Sequence, residues 1–223
     1  MHVSENKVKI CLVSKFFYPL YAGPGVRFFR YAPGLRTRGI EMNVFTSQIT
    51  KENILRDGIL DSKYYKGINE IKLPPNKEEI NGTYIHRVKT IKGWRGSFSF
   101  FWEFYKYALK NKDDIDVIQF LNINIWAIPC LAMLKYHNFP LVFTHTLMSP
   151  FSSNVVRRFF QRIIRKLPLN VLDRIIVSSK VMKDDLNAMK LKPSVDIIYN
   201  GVNLEKFFPI KDKSSKIELK NSL

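Results

Sequence analysis

The sequence predicts an α/β protein built on a doubly wound, mostly parallel sheet, and three observations carry that expectation. Short β-rich runs recur along the 223 residues. Several are almost continuously apolar, as in Ile10-Cys11-Leu12-Val13 and Leu141-Val142-Phe143. Segments with helical spacing separate most of them. A strand apolar throughout is buried on both faces, the condition of a parallel sheet covered by helices. Alternation of strand and helix then implies right-handed βαβ units.

Taken in order, the first strand is expected at 8–13, and a helix at 26–38 follows a glycine-bearing loop. Pro33-Gly34 should interrupt and kink that helix. A second strand at 42–46 leads into 50–81, which is polar, lacks clear periodicity and holds Pro74-Pro75, so it reads as a long surface excursion. The strand at 83–88 alternates as Thr-Tyr-Ile-His-Arg-Val, which puts His86 on the solvent face. From 91 to 101 a loop feeds an aromatic helix at 99–109. Trp94, Phe98, Phe100, Phe101, Trp102, Phe104 and Tyr105 should mostly be core, with some left for an apolar acceptor surface or a membrane-dipping edge. Strands at 116–121, 141–145, 174–178 and 195–199 alternate with helices at 126–136, 154–167 and 180–189. The last strand runs into Asn200-Gly201 and a short aromatic segment stopped by Pro209, which reads as a hinge leading out of one domain. The expected organisation is one domain over 1–209 and a lysine- and serine-rich tail over 210–223.

Composition narrows the partners. With 46% hydrophobic and 25% charged residues the chain can bury a core, and its net charge of +17 predicts attraction to polyanions. Neither phosphate-tracking arginines nor an RNA-binding aromatic signature is present, which argues against specific nucleic-acid recognition. Cys11 and Cys130 sit among apolar neighbours and read as buried free thiols rather than a disulfide or metal site. The N-terminus lacks a secretory signal pattern. The apolar run 125–134 is broken by Pro129 and falls short of the roughly 20 residues that span a bilayer. The expected location is therefore the cytoplasm, with attachment to a membrane surface left open.

Two places carry chemistry. The first strand–helix junction holds Gly23, Pro24, Gly25 and Arg27, where backbone N–H groups and a helix N-terminus favour a phosphate; the bland reading is a simple turn. Phe28 occupies the last position of Gly-x-Gly-x-x-Gly, so the dinucleotide fingerprint is incomplete. At the end of the 141–145 strand, His145 points towards the same crevice and is followed by Thr146. It can hydrogen-bond a hydroxyl or phosphate oxygen or exchange a proton; the alternative is a histidine satisfied by neighbouring backbone. The 154–167 helix carries Arg157, Arg158, Arg162, Arg165 and Lys166 opposite an apolar stripe. Packing of that stripe on the sheet and binding of the cations to anionic lipid, at about 1 kcal/mol each, are compatible.

In this order the residues resemble the N-terminal domain of GT-B glycosyltransferases, specifically the retaining family 4 group. The match runs over nearly the whole chain: Lys9-Ile-Cys-Leu-Val-Ser and Ala22-Gly-Pro-Gly-Val-Arg at the start, Asp116-Val-Ile-Gln-Phe-Leu-Asn and Leu141-Val-Phe-Thr-His-Thr in the middle, Leu172-Asp-Arg-Ile-Ile-Val-Ser-Ser-Lys and Ile198-Tyr-Asn-Gly-Val-Asn at the end. The resemblance implies a Rossmann-like domain in which Gly23 and Gly25 face a donor diphosphate and the acceptor. It also implies His145 as the cleft's catalytic histidine, Asn122 and Thr146 in the acceptor cleft, and Asn200-Gly201 as the interdomain hinge. The implied donor is a UDP- or GDP-linked sugar, with no metal or other cofactor; the implied acceptor is a glycan or lipid-linked molecule. Gln119 stands where that family often has histidine, and Asn203 where it has aspartate. The family's nucleotide-sugar domain, with its Glu-x7-Glu pair, is not recognisable. Glu70 and Glu78 have that spacing but flank Pro74-Pro75, a coincidence. The expectation is an acceptor-binding half, inactive alone, either a truncated product or one subunit of a split enzyme whose donor domain is carried by a second chain. A non-catalytic membrane-binding or scaffold protein with the same fold is the alternative.

Overall fold

A computed structural model of the chain describes residues 7–20, 23–58, 64, 71–91, 94–146 and 155–201, the side chains at 94, 155–160 and 162 excepted. Its eight strands form one sheet in the order β3-β4-β2-β1-β5-β6-β7-β8. They are β1 (Val8–Ser14), β2 (Ile40–Ser47), β3 (Lys77–Ile80), β4 (Thr83–Val88), β5 (Val117–Phe120), β6 (Leu141–His145), β7 (Arg174–Val177) and β8 (Ser194–Ile197). All neighbours are parallel except β3 and β4. The helices are α1 (Gly23–Arg36), α2 (Lys51–Asp57), α3 (Trp94–Lys110), α4 (Ile128–Tyr136), α5 (Val155–Leu169) and α6 (Lys180–Asn187).

Alternation along the central strands builds a core on each face. Leu12, Val44 and Ile85 point to the α1 side and pack with Phe28, Phe29 and Leu35. Cys11, Val13, Phe45 and Phe120 point the other way, against Phe100 and Phe104 of α3 and Leu131 and Leu134 of α4. That two-sided burial explains the continuous apolar runs. Both cysteines are free and buried, and burial pushes their thiols up to about 12. The chain winds outward from β1 through β2 and β4, then from β5 to β8 on the other side. The order therefore reverses between β1 and β5, where open α/β sheets hold ligands at the carboxyl edge.

Four expectations need correction. The 50–81 excursion contains α2, closed at its start by reciprocal Thr50–Asn53 capping, and β3, an antiparallel edge strand. β3 turns into β4 through Asn81 and Gly82, both at positive φ (52° and 73°), the backbone of a tight hairpin. Glu78 of β3 serves this hairpin: it pairs with Arg87 at 2.5 Å and accepts from the Tyr64 hydroxyl at 2.8 Å. Glu70 lies outside the described residues. His86 does not face solvent. Its ring stacks on Phe45 and Tyr107 at 5.6 and 5.0 Å, because α3 covers that face of β4. Pro33 does not break α1, which continues to Arg36 since the proline stands in its last turn and forfeits little of the hydrogen-bond ladder. The apolar stripe of α5 does not pack wholly on the sheet: Ile163, Ile164 and Leu167 are 41%, 45% and 49% exposed. Of the aromatic cluster, Phe100, Phe101, Phe104 and Tyr105 are buried, whereas Phe98 and Trp102 stack on each other at the surface.

Candidate functional site

Two clefts open along the carboxyl edge of the sheet, and Thr146, just past β6, lines both. The first, about 450 Å³, is built on the start of α1. Gly23, Arg27, Arg30 and Tyr31 fall at positions i, i+4, i+7 and i+8, so the helix period puts all four on one face. Gly23 and Pro24 form its lip, and an added Cβ on Gly23 would meet open space. Gly25 is buried beneath the lip: a Cβ there would lie 3.0 Å from the Phe16 carbonyl oxygen and 3.2 Å from Phe17 Cα. Its absence of a side chain lets α1 start against the β1 exit.

Asn200 and Gly201 close this cleft from the other side. An Arg27 Nη1 donates to Asn200 Oδ1, and the Gly201 N–H donates to the Tyr31 hydroxyl at 3.2 Å. The Arg27 guanidinium lies 5.2 Å from the Phe28 ring centroid, and its buried Nε has no hydrogen-bond partner among the described residues. The arginines, Ser178 and the N-terminus of α1 together make a pocket that favours negative charge.

The second cleft, about 510 Å³, lies between the β5 and β6 exits, α5 and α6. His145 stands at its inner end, paired in register with Val177, its ring 5.5 Å from Phe143. Burial first, then the Arg165 guanidinium, hold the imidazole below its ordinary value near 6.5, while Asp185 pulls the other way. At pH 7 the ring is therefore neutral, one nitrogen able to donate and the other to accept. Asn122 lines the same cleft, its Oδ1 3.2 Å from Ser14 Oγ, which donates to the Phe16 carbonyl at 2.7 Å. This ties the β5 exit to the β1 exit. Gln119 donates to Thr144 Oγ1 at 2.7 Å, bracing the strand end that carries His145.

His145, Thr146 and Asn122 thus share one cleft, and Gly23, Pro24, Arg27, Asn200 and Gly201 share the adjoining one. Of the cations read as a membrane surface, Arg165 lines the His145 cleft, because the last turns of α5 lean over it; Lys166 is half-buried beside it. The side chains of Arg157, Arg158 and Arg162 lie outside the described residues. Sequence reasoning missed Arg30, Tyr31, Trp126 and Asp185. The first two were findable from their helical spacing to Gly23; the last two are positioned only by tertiary packing.

The same fold occurs in larger proteins. Sucrose-phosphate synthase from Thermosynechococcus elongatus superposes with a TM-score of 0.59 at 15% identity, covering 95% of this chain and 53% of that one. Starch synthase IV from Arabidopsis thaliana, solved with ADP and acarbose, gives 0.56 at 12%, covering 93% and 54%. A glycosyltransferase from Rickettsia africae gives 0.55 at 15%, covering 97% and 49%. The chain spans about half the length of each of these structures. No curated protein matches the sequence. The model of Glycosyltransferase Family 4 matches residues 21–206, a span that holds both clefts from the Gly23 lip to Gly201, and the chain belongs to that family.

Proposed function

We propose that this chain is the acceptor-binding half of a glycosyltransferase that moves a sugar from a UDP- or GDP-linked donor to a glycan or lipid-linked acceptor. The observation that carries the reading is the junction of the two clefts at Thr146: a cationic pocket at a helix N-terminus adjoins a cleft holding a neutral histidine. Glycosyl transfer leaves charge on a diphosphate, which preorganised donors stabilise. Arg27, Arg30 and the amides at the start of α1 suit that end, and His145 suits an acceptor or sugar hydroxyl. This reading assigns the donor's nucleotide to a second domain or subunit that closes across Asn200-Gly201, and takes the 223 residues without it to be inactive.

The test supplies a nucleotide-sugar domain of the same family as a separate polypeptide and follows radiolabelled UDP- or GDP-sugar. Transfer that needs both polypeptides and falls about 100-fold or more in His145→Ala supports the proposal. Transfer by the 223-residue chain alone overturns its assignment as an inactive half, and transfer indifferent to His145 overturns the role of that residue.

A second reading, a membrane-binding protein without chemistry, is favoured by one observation: Ile163, Ile164 and Leu167 are exposed beside Arg165 and Lys166. Among the described residues no helix is long and apolar enough to cross a membrane; this reading takes attachment to be peripheral, at the cytoplasmic face. Flotation with anionic vesicles, lost on reversing the charge of Arg157, Arg158, Arg162 and Arg165, would support it. Unchanged flotation would remove it.

A further inference from the structure

The polar groups of the His145 cleft gather around the histidine: Asn122 and Thr146 stand where the strands end, and Arg165 of α5 and Asp185 of α6 act on its ring. The rest of the wall is apolar, with Ile164, Pro168 and Leu169 from α5, Met182 and Leu186 from α6, and Met189 from the turn after it. The facing wall is the 121–126 segment, whose Ile125 and Trp126 are 37% and 40% exposed at the mouth. Across the mouth the apolar surface continues along α5 through Ile164 to Ile163 and Leu167. A volume of about 510 Å³ suits a small-molecule ligand.

Such walls disfavour a wholly hydroxylated occupant. Each sugar hydroxyl set against Ile164, Leu186 or Met189 would lose its water without gaining a partner. An alkyl chain removes the same surface from water at a gain, and the two methionines adapt to its shape. Resting on the acceptor-binding reading above, we infer that this cleft takes an amphipathic acceptor with a single apolar chain. Its polar, sugar-accepting end lies at His145, and its chain runs out between Trp126 and Ile164 onto the exposed face of α5.

Binding of octyl β-glucoside, below its micelle-forming concentration, is compared with methyl β-glucoside, which has the same head without the chain, and with maltotriose. Calorimetry gives the affinity, and the emission shift of Trp126, absent in Trp126→Phe, locates the chain. The expected result is saturable binding of the octyl compound, roughly tenfold or more tighter than the methyl compound. Ile164→Asp, at a half-exposed position and with its far-UV spectrum checked against the parent, and separately Met189→Asp, should each reduce that preference to near unity. Equal affinity for the two glucosides, preference for maltotriose, or chain-dependent binding untouched by both variants overturns the inference. No transfer enters these measurements, so the two readings can fail separately. Chain-selective binding with no transfer under any pairing removes only the glycosyltransferase proposal; transfer to maltotriose without chain preference removes only the amphipathic acceptor.

Discussion

His145 owes its protonation state to where β6 ends. Burial disfavours the imidazolium, Arg165 disfavours it further, and Asp185 opposes both. Arg165→Gln should therefore move its titration up, and Asp185→Asn should move it down, as followed by proton NMR of the ring; shifts in the reverse order would refute this electrostatic account. The linkage to stability has a definite sign. The folded state holds this proton less tightly than the unfolded chain, so stability is full above the ordinary histidine value and falls as pH drops through it towards the folded value. His86, also depressed by burial and by Lys77, contributes with the same sign. His145→Gln should flatten part of the acid loss of stability, and the double variant with His86→Gln should flatten more, as read by urea melts between pH 7 and about pH 5. The glycines at the lip divide more sharply. Gly25→Ala must displace backbone at Phe16 and Phe17 and should cost about 1–3 kcal/mol, whereas Gly23→Ala meets open space and should leave the melt nearly unchanged.

At the scale of elements, the β3–β4 hairpin anchors the loop that opens the site. Arg87, with a fully buried side chain, donates to the Pro75 and Tyr18 carbonyls and pairs with Glu78. Tyr18 in turn stacks on Phe29 of α1, its ring centroid 4.1 Å away. Arg87→Met strands a buried carboxylate and two carbonyls, so it should cost about 3–5 kcal/mol in a denaturant melt, and Glu78→Gln in the same chain should recover part of that. A single variant that melts like the parent would show the pair to be dispensable. This hairpin also shows what the sequence made legible. The seven strands from β1, β2 and β4 to β8 announced themselves because burial on both faces, or strict alternation in β4, writes itself into residue type. β3, Lys-Glu-Glu-Ile, is an edge strand whose Lys77 and Glu79 are exposed and whose inward Glu78 is charged, and such a strand carries no apolar period to read. Asn81-Gly82 was the available signal, a hairpin dipeptide followed by an alternating run. His86 was misplaced for a related reason. Alternation told which residues share a face, but not that α3 would cover the second one.

At the scale of the whole molecule, the site was legible as a location more than as a shape. Parallel topology sends the carboxyl ends of all strands but β3 to one edge, which is why Gly23, Asn122, His145 and Asn200, far apart in sequence, meet there. The placement of α5 was not legible, and it is what brings Arg165 to the His145 cleft. It also separates the two forces by which this chain meets ligands. A net charge of +17 acts over a Debye length and binds polyanions without selecting among them. The His145 cleft, with its largely apolar walls, is proposed to act through apolar contact. Raising sodium chloride from about 50 mM to about 500 mM shortens that length more than twofold, so adsorption to anionic vesicles or to RNA should weaken about tenfold or more. Octyl glucoside affinity, measured by calorimetry over the same range, should stay within about twofold, because salt does not screen burial of an uncharged chain. If both interactions fall together, the cleft is only another part of the charged surface; if only the first falls, the molecule has a diffuse electrostatic exterior and one selective apolar opening beside its histidine.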